Sequence, residues 1–464
     1  MENMALNYLN ENESILNDLA YDIWTHPEVA MEEHYASQRL SDQLEQAGFS
    51  VTRSIGQMPT AFIATWGTGK PIIGILGEYD ALPGLSQKVS AAQEPVKADA
   101  PGHGCGHNLL GVASMGAAIA VKEAMVKHDI KGAIRYYGCP AEETLSGKVY
   151  MAKTGVFDDL DAAITWHPGA MNSVWSFSLA ALNSFKVNFH GRAAHAGSAP
   201  QAGRSALKAV QLMDIGVNYL REHITPQARI HCVITKGGTA PNIVPPYAQV
   251  WYYVRAPKRD QVETIFAWML DVSKGATLMT QTTHDVEFLT GCYDMLPNKI
   301  LGQLIHEKMK RVGSPVFTDK EMEFGRKLQA NMPQEMSKES ILFSGRTSIE
   351  KGIPFSSNIM PLSDNVGSTG GSTDVGDVSH ITPTAQFSTC CQVIGAPTHS
   401  WQVVATSGSS IGFKGMITAA KVLALTALDL QTKPKHLEAA REEFNKTIEE
   451  NKYISPLPEN TVPG

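Results

Sequence analysis

Short apolar runs alternate with helical ones over the first third of the chain, and no other feature limits its fold as tightly. Residues 71–77 (PIIGILG), 132–138 (GAIRYYG) and 162–166 (AAITW) read as buried strands. Residues 109–128 read as a helix whose polar face carries Lys122, Glu123 and Lys127. Strands joined by helical crossovers pair in parallel, with helices on both faces of the sheet. Far downstream, residues 385–394 (AQFSTCCQVI) read as a further core strand and the Ala/Leu-rich run 411–430 as a covering helix.

A different pattern interrupts this one. Residues 183–190 (NSFKVNFH) alternate apolar and polar, as a half-exposed strand does. A helix at 204–222, strands at 228–235 and 248–256, a helix at 260–274 and a strand at 283–289 follow. The order β-α-β-β-α-β is that of the ferredoxin-like unit. The expected fold class is therefore α/β. A doubly wound, mostly parallel sheet is built from residues 1–182 and 293–464, and a ferredoxin-like α+β unit is inserted at 183–292. The inserted sheet has an open edge, and pairing it with a second copy gives a symmetric dimer. Residues 321–352 and 363–376 are poor in order signals, and the second stretch reads as a long loop over the sheet end.

Composition removes some function classes. A net charge of -7 and the lack of any basic tract argue against nucleic-acid binding. No basic, apolar leader opens the chain and no long uncharged apolar run suits a membrane span, so neither a signal peptide nor membrane insertion is expected. The six cysteines are scattered without a disulfide-framework spacing, which fits cytoplasmic thiols.

Reactive side chains gather where the expected strands end. Glu78 and Asp80 follow the first strand, Glu142 and Glu143 the second, His167 the third, and His399 the downstream one. In open α/β sheets, ligands bind outside the carboxyl ends of strands. The turn 102–108 (GHGCGHN) adds Cys105 and His107 just before a helix, where the backbone dipole favours a thiolate. Each member has a plainer reading. Paired glutamates often start a solvated helix, His167 and His399 fit hydrogen-bonded loop positions, and Asp80 fits a cap. Four strand ends bearing metal-competent groups at one crevice favour a metal centre.

These motifs resemble the M20-type metallopeptidases, in the cysteine-containing amidohydrolase branch. The matching segments are GEYDALPG at 77–84, GHGCGHNLLG at 102–111, GCPAEET at 138–144, TWHP at 165–168, GRAAHAGSAPQAGRSAL at 191–207, GGTAPNIVP at 237–245 and GAPTHSWQ at 395–402. The resemblance implies that the discontinuous sheet domain is catalytic and that the insertion is a lid and dimerisation domain. It implies two divalent ions, manganese or zinc, with Cys105, His107, Glu143, His167 and His399 as ligands. Glu142 matches the general base, His195 a histidine reaching into the partner subunit's site, and Asn242 a substrate-contacting asparagine. Asp80 matches an aspartate that orients a metal histidine. Where other members carry a histidine two residues earlier, this chain has Glu78, whose role stays open. The implied substrate is an N-acyl amino acid, such as p-aminobenzoyl-glutamate or an acyl-aspartate.

The chemistry suits these groups. Divalent ions polarise the amide carbonyl and acidify water, while a carboxylate moves the proton. Thiolate and imidazoles suit zinc, carboxylate and imidazole also manganese; the closer resemblance implies manganese. A substrate carboxylate needs a cation, for which Arg255 is a candidate and Arg204 a weaker one, although Arg255 also fits a structural strand end. Asp374 and Asp377 either orient imidazoles or are ordinary loop acids. Two rival readings remain: a subunit that needs a second, related chain, and a thiol hydrolase with Cys105 as nucleophile.

Overall fold

The computed structural model describes residues 1–332, 353–363, 367–449 and 452–463. Four parallel strands form its centre, in the spatial order Gly132–Cys139, Ile72–Glu78, Ala162–Gly169 and Thr384–Cys390. Antiparallel Phe62–Thr68 and Ser50–Arg53 extend one side, and Ser173–Val174 the other. Every residue of Ile72–Glu78 is buried. Ile73 and Ile75 enter a core shared with the helices His107–Lys127 and Ser410–Thr432. Ile72 and Leu76 enter a second core with Val149 and Met151 of the helix Gly147–Lys153. Coverage on both faces is why the strand reads as a continuous apolar run rather than an alternating one.

The two long helices are apolar enough to cross a membrane, but most of each is buried within the protein, packed one on the other. The expected strand 385–394 stops at Cys390; the chain then turns at Gly395 (φ 90°) on its way to His399. Part of the stretch 321–352 belongs to a helix, Asp319–Ala330, closed by a capping box between Thr318 and Glu321. Residues 333–352 lie outside the described residues, as do 364–366 of the expected loop. The rest of that loop holds the short strand Ser368–Thr369, paired with Ser178–Leu179, and leads into the helix Val375–Ser379.

The insertion has the β-α-β-β-α-β order expected. Its antiparallel sheet runs Thr283–Cys292, Ala181–His190, Tyr247–Ala256, Arg229–Lys236. Along Tyr247–Ala256 every second residue is buried, because the helices Ala206–Leu220 and Arg259–Thr280 cover one face only. Arg229–Lys236 is the open edge, exposed along its length except at Ile230.

One glycine fixes the turn that carries the paired glutamates. A Cβ at Gly147 would lie 1.7 Å from the carbonyl oxygen of Pro140. The clash is with backbone at the start of the turn, so relief requires the turn to move. Gly147→Ala is expected to cost about 3 kcal/mol and to lower the unfolding temperature. Thermal unfolding checks this; an unchanged midpoint would show that the turn yields freely.

Candidate metal centre

The turn and helix start at 102–108 place two ligand types together. Gly106 takes a left-handed conformation (φ 79°) as the N-cap of His107–Lys127, which lets Cys105 and the first helical residue, His107, face the same point. His107 Nδ1 lies 2.8 Å from Asp80 Oδ1. The other Asp80 oxygen accepts the Glu143 amide at 2.8 Å. Asp80 therefore ties the end of one strand to the imidazole and to the glutamate turn.

Glu142 and Glu143 do not begin a solvated helix. They sit in a buried turn after Gly132–Cys139. Ala141, just before them, has φ 56°, and its amide donates to the buried carboxylate of Glu33 at 2.8 Å. His167 is fixed by contact of Nδ1 with its neighbour's carbonyl, Pro168 O, at 2.8 Å, which leaves Nε2 3.3 Å from Cys105 Sγ. Trp175 packs on His167 with ring centroids 5.5 Å apart and donates its indole N–H to Ser388 Oγ. His399, at φ 57°, reaches within 3.3 Å of Glu143 Oε2.

The side chains from four distant segments thus converge. Cys105, His107 and His167 offer three ligand atoms within 4.8 Å of one another, and so do Cys105, Glu143 and His399. Cys105 Sγ is common to both groups. A third group, Glu78, His107 and Glu142, adjoins them. His107 Nε2 and Glu143 Oε1 are buried without a hydrogen-bond partner. Such atoms cost about 1–3 kcal/mol each when left unsatisfied, and both belong to residues of the cluster. Soft sulfur, imidazole and carboxylate around orphaned acceptors fit divalent cations.

Electrostatics carries the same sign. Burial, with Glu78, Asp374 and Glu143 near, pushes the Glu142 carboxyl well above its ordinary range. Burial lifts Glu143 to about 7. The expectation of a helix-favoured thiolate fails for the metal-free chain: burial first, and then Glu143, push the Cys105 thiol upward. One helix terminus is a weaker influence than desolvation, and a coordinated cation is what would remove that proton. Burial and the neighbouring His107 lower His167 to about 4, so its imidazole is neutral at pH 7.

The candidates on the insertion stand apart from these clusters. His195 is exposed, and its Nδ1 accepts the amides of Gly197 and Ser198 at 3.2 and 3.1 Å. That leaves Nε2 as the protonated, donating nitrogen of the neutral ring. Asn242 lies beside it, its carbonyl accepting the Ala196 amide. Arg255 donates to Gly370 O at 3.0 Å and stacks over Tyr253, while its buried Nε has no partner. Arg204 binds Gln201 O, Gly203 O and Gln281 within the insertion itself. Among the described residues, neither Asp374 nor Asp377 bonds to an imidazole. Asp374 holds Lys148, and Asp377 accepts from Tyr453 Oη and the Tyr293 amide. Lys148 and Glu33 are not marked by any motif; the only signal of the first is a lysine in an otherwise buried helix.

Comparison with known proteins decides the family. The chain is 41% identical over 458 residues to a p-aminobenzoyl-glutamate hydrolase subunit of Escherichia coli strain K12, covering 96% of this chain and 95% of the relative. The chain belongs to the M20 peptidase family. This M20 chain is also 30% identical to the human Xaa-Arg dipeptidase, over 97% of its own length and 93% of the relative's. A profile for a peptidase dimerisation domain matches residues 178–276. Among solved structures, an aminobenzoyl-glutamate utilization protein from Klebsiella pneumoniae superposes with a TM-score of 0.62 at 18% identity, covering 91% and 97% of the two chains. A dinuclear metal-binding M20 peptidase from Bacillus subtilis superposes at 0.56 and 15% identity, covering 91% and 99%. The M20 fold expected from the motifs is therefore the fold observed, and the chain is a hydrolase of that family.

Proposed function

We propose that this M20 hydrolase is a binuclear metallo-amidohydrolase that cleaves the amide of an N-acyl amino acid, with an aromatic acyl-glutamate such as p-aminobenzoyl-glutamate as substrate. The observation that carries this reading is the pair of three-atom ligand groups that share Cys105 Sγ. Cys105, His107, Glu143, His167 and His399 would hold two divalent ions, manganese or zinc. When bound, such ions polarise the carbonyl and bring the pKa of water toward ~7. Glu142, beside Glu143 and facing the same cluster, takes the proton of the attacking water and delivers it to the departing nitrogen. Asp80 keeps His107 turned toward the centre. His195 of the partner subunit donates from Nε2 to the carbonyl oxygen as negative charge develops there, Asn242 contacts the substrate, and Arg255 binds its carboxylate.

The division of labour follows the chain: residues 1–182 and 293–464 form the catalytic domain, and 183–292 the lid through which two copies pair. The chemistry needs neither nucleic acid nor membrane, and six cysteines without a disulfide-framework spacing suit the cytoplasm.

A second reading has a specific support. The Escherichia coli relative is one subunit of its hydrolase, and a different subunit of the same hydrolase is 28% identical over 240 residues. Activity would then need a related second chain. A hydrolysis screen of aromatic acyl-glutamates, acyl-aspartates and dipeptides, with metal content measured alongside, separates the readings. Chelation should abolish cleavage, and Mn²⁺ or Zn²⁺ should restore it. Full activity in the stripped protein would refute the metal mechanism. A metal-loaded chain that stays inert until a related second chain is added would favour the second reading.

A further inference from the structure

Lys148 is completely buried, and it stands behind the centre rather than in it. Its Nζ lies 2.6 Å from Glu78 Oε1 and 2.5 Å from Asp374 Oδ1. Its amide N–H donates to the second Asp374 oxygen at 2.8 Å. Asp374 thereby fixes both ends of the lysine, and the lysine fixes one oxygen of Glu78. Two carboxylates share one ammonium, so one negative charge is left over. A buried, uncompensated charge is strongly destabilising. The surplus is not spread at random: the free oxygen of Glu78, Oε2, lies 3.4 Å from His107 Nε2, and these two groups with Glu142 form the third set of ligand atoms within 4.8 Å.

That approach needs a positive charge between the two atoms. With its Nδ1–H directed to Asp80, a neutral His107 presents only the lone pair of Nε2, and Glu78 faces it with a second acceptor. In the metal-free protein a second proton on His107 can supply the charge. A divalent cation supplies it in the loaded protein and also satisfies Nε2, which has no hydrogen-bond partner. We propose that Glu78 is a sixth metal ligand, on the His107 side of the centre, aimed there by the Lys148–Asp374 pair. Lys148 and Asp374 are positioning residues in this arrangement. The inference rests on the metal reading above and extends it to a residue left without a role by the motif match.

The test is metal binding by the full chain, independent of turnover. Mn²⁺ and Zn²⁺ affinities are measured by competition with a chromophoric chelator, and stoichiometry by elemental analysis. Glu78→Gln should weaken one of two ions by about 10- to 100-fold and leave the other unchanged, and Lys148→Met, which releases the Glu78 carboxylate, should weaken the same ion by about tenfold. Thermal unfolding of metal-free Glu78→Gln checks that the variant folds. If that variant does not fold, Glu78→Asp keeps the charge beside Lys148 but shortens its reach, and the same ion should weaken. Natural affinity for both ions in Glu78→Gln, or in Glu78→Asp where that variant is used, would overturn the proposal while leaving the five-ligand centre intact. A natural chain that binds no divalent ion would overturn both.

Discussion

Glu142→Gln is expected to lower kcat by about 10²–10⁴-fold, the usual contribution of a positioned proton-transfer group. Glutamine has the same shape and removes only the ability to take up a proton, so KM should change little. Metal content should not change either, because the two ligand groups that share Cys105 do not include residue 142. Loss of folding is not expected to confound the result: Glu142 is crowded by Glu78, Asp374 and Glu143, and burial already raises its pKa well above normal. Glutamine is neutral and of the same shape, so the metal-free variant should unfold at the natural temperature or above it. Steady-state kinetics, elemental analysis and thermal unfolding on one preparation check all three expectations. Retention of most of the activity would point instead to the thiol route, with Cys105 attacking the amide. The raised pKa of the buried Cys105 thiol weighs against that route, because the neutral thiol is a poor nucleophile.

Much of this arrangement is legible in the residues, for reasons that can be stated. PIIGILG reads as a strand because a sheet covered on both faces asks for apolar residues at every position, and the lid strands read as strands because a sheet covered on one face asks for alternation. The gathering of metal-competent groups at one crevice is legible because four strand ends carry them, a pattern that survives without knowledge of distances. What sequence does not reveal is how buried charges are shared. Nothing in SGKVYMAK says that Lys148 folds back onto Glu78, since the partner Asp374 lies more than two hundred positions away. The same holds for Asp377, which meets Tyr453 near the end of the chain rather than an imidazole. The thiolate expectation for Cys105 fails because local dipole and burial oppose each other, and burial depends on the whole fold. The helices Glu2–Glu11, Glu13–Thr25 and Lys299–Val312 carry no motif and complete the core by packing on the sheet-covering helices.

Mixing two inactive variants should restore activity, and this follows from where His195 sits. It is exposed on the insertion and, among the described residues, belongs to none of the ligand groups of its own chain. Its Nδ1 is occupied by two backbone amides, so the imidazole is held as a fixed donor through Nε2. An exposed, pre-set donor is useful only if another surface comes to it, and the exposed edge strand Arg229–Lys236 offers a way for a second lid to dock alongside. His195→Ala alone should lower kcat by about 10²–10³-fold, as loss of a donor to a developing oxyanion does. In a heterodimer of His195→Ala with Glu142→Gln, one site has Glu142 from the first chain and His195 from the second. The other site lacks both. Random pairing makes half the dimers mixed, so roughly a quarter of natural activity should return if the interface is two-fold symmetric. Separately tagged chains, purified as verified heterodimers, should show about half, again by the one-good-site count of a two-fold dimer. Verified heterodimers no more active than the parents would mean that His195 does not act across the interface, and the oxyanion donor would have to be sought among residues of the catalytic domain itself.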